Sequence, residues 1–302
     1  MIDTITISRA INSAMNSTRI EPKYRVFHQH SLDYKACSNI VHRWGECLVE
    51  PQEHLNTLYG SGYCLALNEI TKWSLPLTLQ VFDYIHSNEL LLSYDCPKLV
   101  DVYMFLTSSS NWTPFGIHQD FEDSHIIDVA GSGRDLYLWE EKPPFQPKVV
   151  NSERFTGIHL DYKPLLPSAK CLSLKPGQHY NVRQGVMHIF HALGPGVFIG
   201  LSCEESDSDK PHTYIPPIYD PNIVSNLDAL SGRRLTWRTH TCLDHVVNTD
   251  FGKVKLDADE VIQLNALSSQ SSQPLLVNDW LQDLGQRRLL AKLIKVGALH
   301  AH

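Results

Sequence analysis

The stretch TPFGIHQDFEDSHIIDVAGSGRDLYLWE, residues 113–140, carries a histidine and an aspartate two positions apart, His118 and Asp120. Side chains on an extended strand repeat with a period of two, so this pair projects to one face and can share an ion. Imidazole and carboxylate ligands suit Fe(II), Mn, Co, Ni or Zn. Two histidines and one carboxylate on one face of an ion leave the opposite positions open, which is the ligand set of oxygen chemistry at non-haem Fe(II). Sixteen histidines in 302 residues make one His-x-Asp pair easy to meet by chance, so the reading depends on a third ligand from a later strand. His188, in RQGVMHIFHAL, fits best: it lies 68 residues beyond Asp120, just after a turn, at the start of a strand-like run. His191, three residues further on, would face the opposite side of that strand. His179, directly after a Pro-Gly turn, is less suited. His125, His159, His212, His240 and His245 read as surface or structural residues.

Such ligands need a rigid scaffold. The run 99–109, LVDVYMFLTSS, is β-branched and aromatic and reads as a strand entering a loop. Residues 124–140 read as two strands around a Gly-Ser-Gly turn, followed by a proline-interrupted loop at 141–150. Residues 171–204 alternate short strand-like runs with Pro-Gly, Gln-Gly and Gly-Pro-Gly turns, the pattern of an antiparallel sandwich or barrel. Residues 76–93 place Leu77, Leu79, Val81, Phe82 and Ile85 near helical spacing.

Outside this region the character changes. Residues 1–20 are rich in Ser, Asn and Thr and read as a loose or partner-dependent arm. A polar, Pro-rich connector begins after about residue 205 and extends to 255, with one further strand in LTWRTHTCLDHVV. Three short helices follow in 256–302. The first opens on Asp257 with Glu260 three residues later, the capping-box spacing. The second has Leu276, Trp280, Leu281 and Leu284 on one face and ends at Gly285. The third has Leu289, Leu290, Leu293 and Ile294, and ends at Gly297. These make a small helical, winged-helix-like domain.

The bulk numbers exclude several classes. Hydrophobic residues make up 42% of the chain, enough for a sizeable core. A net charge of −7 argues against a general nucleic-acid binder. Seven scattered cysteines with no CxxC argue against a zinc ribbon or a dithiol redox site and fit reduced thiols in the cytoplasm. The N-terminus has no signal-peptide pattern, and no apolar run is long enough to span a membrane.

The segment FGIHQDFEDSHIIDVAGSGRDLYLW resembles the metal-binding stretch of JmjC-type, cupin-fold Fe(II)/2-oxoglutarate oxygenases, and is most similar to the bacterial ribosomal-oxygenase group. LKPGQHYNVRQGVMHIFHAL resembles that family's second signature, and counted from Gly177 its distal histidine falls on His188. GYCLALNEITKWSLPLTLQVFDYIHS resembles the segment that precedes the metal motif, so the likeness covers residues 58–204 well and 256–302 loosely. Gln178 stands where an acidic residue is usual, and Val182-Arg183 where Ile-Pro is frequent.

The resemblance implies a double-stranded β-helix over 21–205, a connector over 206–255 and an appended winged-helix-like domain over 256–302. It implies Fe(II) held by His118, Asp120 and His188, with 2-oxoglutarate as cosubstrate and O2 as oxidant. The family's cosubstrate-binding base falls, displaced by about one residue, on Arg134. Thr113, Thr107 and Tyr103 offer hydroxyls to the cosubstrate pocket or are ordinary strand residues. Trp112, in a polar loop, is a candidate to line a substrate groove. The expected reaction is hydroxylation of a C–H bond in a protein or peptide side chain; a free amino acid or other small metabolite is the rival substrate. The resemblance also suggests a homodimer. A cupin-type sensor with a DNA-binding tail is the non-enzymatic rival. Against it, residues 276–302 hold four Lys/Arg and two Asp, a small surplus that fits a solvated helix face.

Overall fold

The structure, a computed structural model, describes residues 2–18, 20–47, 49–90, 97–140, 162–205, 218–237, 241–249, 252–268 and 275–301. The expected loop at 141–150, the Pro-rich stretch at 206–217 and the end of the helical run at 91–93 lie outside them. The chain divides into two compact units: Met1–Ile70 with Asn88–Thr213, and Thr71–Ser87 with Tyr214–His302.

The first unit opens with helix α1 (Thr4–Met15), which corrects the reading of residues 1–20 as a loose arm. Asp3 caps it by accepting the Thr6 N–H, and Ile7, Ile11, Ala14 and Met15 bury one face. The Ser/Asn/Thr content lies between those apolar positions and hides the helical spacing from a compositional reading. Strands β1 (Tyr24–His28) and β2 (Ser31–Leu32), helices α2 (Tyr34–Trp44) and α3 (Pro51–Tyr59), and strand β3 (Tyr63–Leu67) follow.

Eight strands then divide between two sheets. They are β4 (Pro97–Thr107), β5 (Asn111–Trp112), β6 (Asp123–Gly131), β7 (Arg134–Trp139), β8 (Lys170–Leu174), β9 (His179–Val182), β10 (Met187–Ala192) and β11 (Gly196–Glu205). One sheet has the order β2-β1-β3-β4-β11-β6-β9 and the other β5-β10-β7-β8, and all neighbours are antiparallel. The first and last of the eight, β4 and β11, pair with each other. The chain crosses from one sheet to the other at every step but the β7–β8 connection. This is a double-stranded β-helix, with β1–β3 added to one sheet.

Strand periodicity assigns the faces. On β7, Arg134, Leu136 and Leu138 point between the sheets, and on β10 His188 and Phe190 do the same. Phe27, Phe105, Ile126, Phe190 and Phe198 complete that inner cluster. The outer face of the smaller sheet is covered too: Met187 and Ile189 pack with Ile117, Trp139 and Tyr162. Burial on both faces explains why Met187, Ile189 and Phe190 do not alternate with exposed polar residues.

The second unit takes helix α4 (Leu75–Ser87) from the middle of the chain. With it go α5 (Ile223–Asn226), strands β12 (Arg234–Trp237), β13 (Thr241–Leu243), β14 (Val246–Thr249) and β15 (Gly252–Lys255), α6 (Ala258–Ser268), β16 (Leu275–Leu276), α7 (Leu284–Lys295) and β17 (Leu299–Ala301). The described part of 206–255 is therefore more structured than a connector, with a β13-β14-β15 meander and β12 paired to β16 and β17. The capping box at α6 forms as read: the Asp257 N–H donates to Glu260 Oε2 and the Glu260 N–H to Asp257 Oδ1, both at 2.9 Å. The middle helix does not form. Residues Val277–Trp280 make a 3₁₀ turn, and Gly285 lies inside the first turn of α7 because Asp283 caps that helix. Gly297 ends α7 with φ 69°, and the Ala298 N–H returns to the Leu293 carbonyl in a Schellman closure. No helix among the described residues is long and apolar enough to cross a membrane.

Candidate metal centre

Between the two sheets lies a cavity of about 420 Å³, lined in part by His118, Asp120, His188, Tyr103, Thr113 and Arg25. Among the described residues, His118, Asp120 and His188 are the one group of three with ligand-forming atoms close enough for a metal, all within 4.8 Å of one another. His118 Nε2 is 3.8 Å from Asp120 Oδ1, and His188 Nε2 is 3.7 Å from Asp120 Oδ2. Ligand atoms about 2.0–2.2 Å from a shared ion lie no more than roughly 4.4 Å apart. The two histidine-to-aspartate separations lie within that limit.

Backbone pairing builds the arrangement. His118 and His188 form an isolated antiparallel bridge, with N–H to carbonyl distances of 3.0 and 2.7 Å, which sets their rings 4.3 Å apart. The His118 Nδ1–H donates to the Gly116 carbonyl and the His188 Nδ1–H to the Val186 carbonyl, both at 2.9 Å. A carbonyl can only accept, so each ring carries a proton on Nδ1 and turns Nε2 to the centre. Burial and the neighbouring His118 push the His188 imidazole down to about 4, opposed by Asp120 and the Val186 carbonyl. The ligand form of His188 is thus its ordinary state at neutral pH. Asp120 is steadied from the side: Ser124 Oγ donates to its Oδ2 at 3.0 Å.

The donor set is nitrogen and oxygen only. Burial pushes the Cys64 thiol in the inner cluster up to about 12, so it offers no thiolate. Two imidazoles and a carboxylate fit a divalent first-row ion with open positions.

Other expected residues divide. Tyr103 reaches the cavity and hydrogen-bonds with Ser124; burial first, then the Asp120 charge, raises its phenol. Its ring lies across Gly200, where an added Cβ would come within 2.1 Å of Tyr103 Cζ. Gly200→Ala should cost about 1–3 kcal/mol by overpacking, read as a lower denaturant midpoint; unchanged stability would show that the ring has room to move. Thr113 also lines the cavity, its hydroxyl donating to the Phe190 carbonyl at 3.1 Å and accepting the Phe190 N–H at 3.0 Å. Thr107 is not brought there: its hydroxyl is bonded to the carbonyls of Gly194 and Gly196. Trp112 is not brought there either. Its register partner is His191, so it lies on the face opposite His188, stacked on the His191 ring at 4.3 Å and against Tyr162 at 4.5 Å. His191, as expected from strand alternation, takes no part in the cluster and contacts Ser110 Oγ.

Arg134 is 2% exposed and faces inward. Its Nε and Nη2 both donate to Asp128 Oδ1, at 3.1 and 2.8 Å, and its guanidinium lies 4.2 Å from the Phe198 ring centroid. Burial pushes the Asp128 carboxyl up and the guanidinium down, and their mutual contact opposes both. Gly131, with φ 104°, makes the turn before β7 that delivers Arg134; a Cβ there would meet the Pro195 carbonyl at 2.2 Å.

The sequence reading missed Arg25. It lines the cavity from β1, its guanidinium 5.3 Å from the Phe115 ring. No motif marks it, since its place depends on which strand is added to the sheet edge.

Fold and site together give a double-stranded β-helix with a buried His-x-Asp…His cluster between its sheets. Among solved structures the chain is similar to YcfD, a ribosomal oxygenase from Escherichia coli, at 15% identity over 100% of this chain and 91% of that one, TM-score 0.46. It is also similar to YcfD in complex with cobalt and 2-oxoglutarate, at 14% identity over 97% and 89%, TM-score 0.42. A cupin-superfamily protein from Desulfitobacterium hafniense matches at 9% identity over 36% of this chain and 67% of its own, TM-score 0.22. No protein-family model matches the chain, and no curated protein does.

Proposed function

We propose that this chain is an Fe(II)- and 2-oxoglutarate-dependent dioxygenase that hydroxylates an unactivated C–H bond, on an amino-acid side chain of a protein or peptide. The observation that carries the reading is the convergence of two imidazole Nε2 atoms and one carboxylate inside a 420 Å³ cavity walled by aromatic rings. Bound there, Fe(II) with 2-oxoglutarate supplies the oxidising power for hydroxylation by O2, releasing succinate and CO2.

The chain's own residues hold, orient and exclude. His118, Asp120 and His188 hold the ion, and the backbone bridge between the two histidines fixes their spacing before any metal arrives. Ser124 steadies Asp120. Phe105, Phe115, Phe190 and Phe198 keep water from the ion's surroundings.

Arg134 receives the far carboxylate of the cosubstrate. It pairs in register with Ala192, four residues along β10 from His188, a depth of about 13 Å. The guanidinium faces inward but is buried against Phe198 and does not itself line the 420 Å³ cavity. Asp128 occupies the Nε/Nη2 edge, which leaves the end-on Nη1/Nη2 edge for a two-point carboxylate contact.

Anaerobic addition of Fe(II) and 2-oxoglutarate to the purified protein should give a weak visible charge-transfer band near roughly 500 nm. Correctly folded protein that binds Fe(II) yet never shows the band would rule out the cosubstrate.

A further inference from the structure

Asp120 is held differently from the two histidines beside it. His118 and His188 are tied to each other by the backbone bridge, and each ring is fixed by a carbonyl two residues before it. Asp120 lies beyond that bridge and ahead of β6, and its carboxylate rests on Ser124 Oγ, 3.0 Å from Oδ2. Ser124 stands on β6, is 1% exposed and lines the cavity.

Ser124 has a second partner, the Tyr103 phenol on β4. These two strands are not neighbours. β11 lies between them, and the residue of β11 in register with Tyr103 is Gly200. A Cβ at position 200 would collide with the Tyr103 ring at Cζ and at the hydroxyl. The glycine therefore opens the path by which a phenol on β4 crosses β11 to reach a serine on β6. Phe105 and Phe198 meet the ring edge-on, with centroids 5.9 and 6.4 Å away, and hold its tilt.

Counting protons sets the direction. An ionised carboxylate only accepts, and a serine hydroxyl has one proton to give. Ser124 gives it to Asp120, so the phenol donates to Ser124 Oγ. Burial, then the Asp120 charge, raises the phenol, which keeps its proton at neutral pH. A hydroxyl that accepts one hydrogen bond donates the next more strongly.

We infer that Tyr103 is a positioning residue of the metal centre: through Ser124 it orients Asp120, and its hydroxyl serves the ion and not the cosubstrate. This rests on the metal site of the oxygenase reading.

The test uses the full chain freed of metal, with cobalt(II) alone as the first probe. Tyr103→Phe and Ser124→Ala are each expected to weaken cobalt affinity about 10-fold, the lower end of the range for groups one step removed from a metal, and to alter the visible cobalt spectrum. The double variant should bind no more weakly than Ser124→Ala, because Tyr103 acts only through the serine. Calorimetry of 2-oxoglutarate on manganese-saturated Tyr103→Phe should give the parent's affinity. Cobalt affinity in Tyr103→Phe equal to the parent's overturns the inference. So do losses that simply add in the double variant, since packing defects at two sites would add whereas a relay would not. A drop in 2-oxoglutarate affinity at saturating manganese assigns the hydroxyl to the cosubstrate, and the inference fails while the oxygenase reading stands. Coupled cobalt losses in a protein that never shows the visible band with Fe(II) and 2-oxoglutarate uphold the inference and end the oxygenase reading. A parent that binds no cobalt overturns both.

Discussion

His188→Ala is expected to abolish metal binding, while His191→Ala leaves it intact. Even a partner one step removed from a metal changes affinity by about 10- to 100-fold, so deleting one of three ligands should exceed that range. The two residues sit three apart on β10, both near aromatic rings and both pushed toward the neutral imidazole by burial. They differ in the face they occupy. His188 turns Nε2 toward Asp120, whereas His191 stacks on Trp112 outside the sheet. Cobalt(II) titration followed by its visible absorption would separate them. Asp120→Ala should match His188→Ala in loss of metal. The fold should survive each change, because the strands carrying the ligands are joined by backbone hydrogen bonds that no side-chain deletion removes. Equal cobalt affinity in His188→Ala and the parent would refute the cluster.

The second large effect concerns Arg134, and the obvious variant is the wrong one. Arg134→Ala strands the Asp128 carboxylate at 0% exposure, and breaking a buried pair from one side costs about 3–5 kcal/mol. Lost cosubstrate binding would then be inseparable from lost structure. Replacing both, as Arg134→Met with Asp128→Asn, removes the guanidinium without leaving a lone buried charge. This double variant is expected to bind metal normally and to lose 2-oxoglutarate affinity by about 100-fold or more, since charge-assisted two-point contacts are the strong ones. Calorimetry of 2-oxoglutarate binding to the manganese-loaded protein reads this directly. Asp128→Asn alone keeps the cation but weakens its hold, and should lower affinity less, by about tenfold. Unchanged affinity in the double variant would show that the far carboxylate is held elsewhere.

The His118, Asp120 and His188 cluster was legible because much of its geometry is short-range. Strand period predicts one shared face for His118 and Asp120; they do come together with His188, but through an isolated bridge at His118 rather than a strand, whereas on β10 the period of two does separate His188 from His191. The capping box at Asp257 and Glu260 was legible for the same reason, since both partners lie within one turn. Trp112 was misplaced because its face depends on pairing with His191, a contact between strands that are distant in sequence. Thr107 looked available until its hydroxyl met the carbonyls of Gly194 and Gly196. Asp128 was overlooked beside Arg134, six residues away, because only the hairpin through Gly131 brings them together. Arg25 depended on a strand added at the sheet edge. The N-terminal helix was hidden by its polar composition, although Ile7, Ile11, Ala14 and Met15 keep helical spacing.

Helix α4 carries a consequence for how the molecule is made. Leu75 and Leu79 pack with Ile223, Leu227, Leu289 and Leu293, and the Leu75 N–H donates to Asp220 Oδ2 across 145 residues of chain. During synthesis α4 leaves the ribosome long before its partners exist, and its apolar face must wait while the whole β-helix is translated. Closing so long a loop is slow, and a helix waiting without its partners is open to aggregation and to chaperones. The same arrangement defeats simple dissection. A fragment cut at residue 213 keeps α4 and loses everything it packs against in its own unit, and one starting at 214 lacks the helix. A separable second unit would have to be built by circular permutation, with α4 spliced onto the segment it meets.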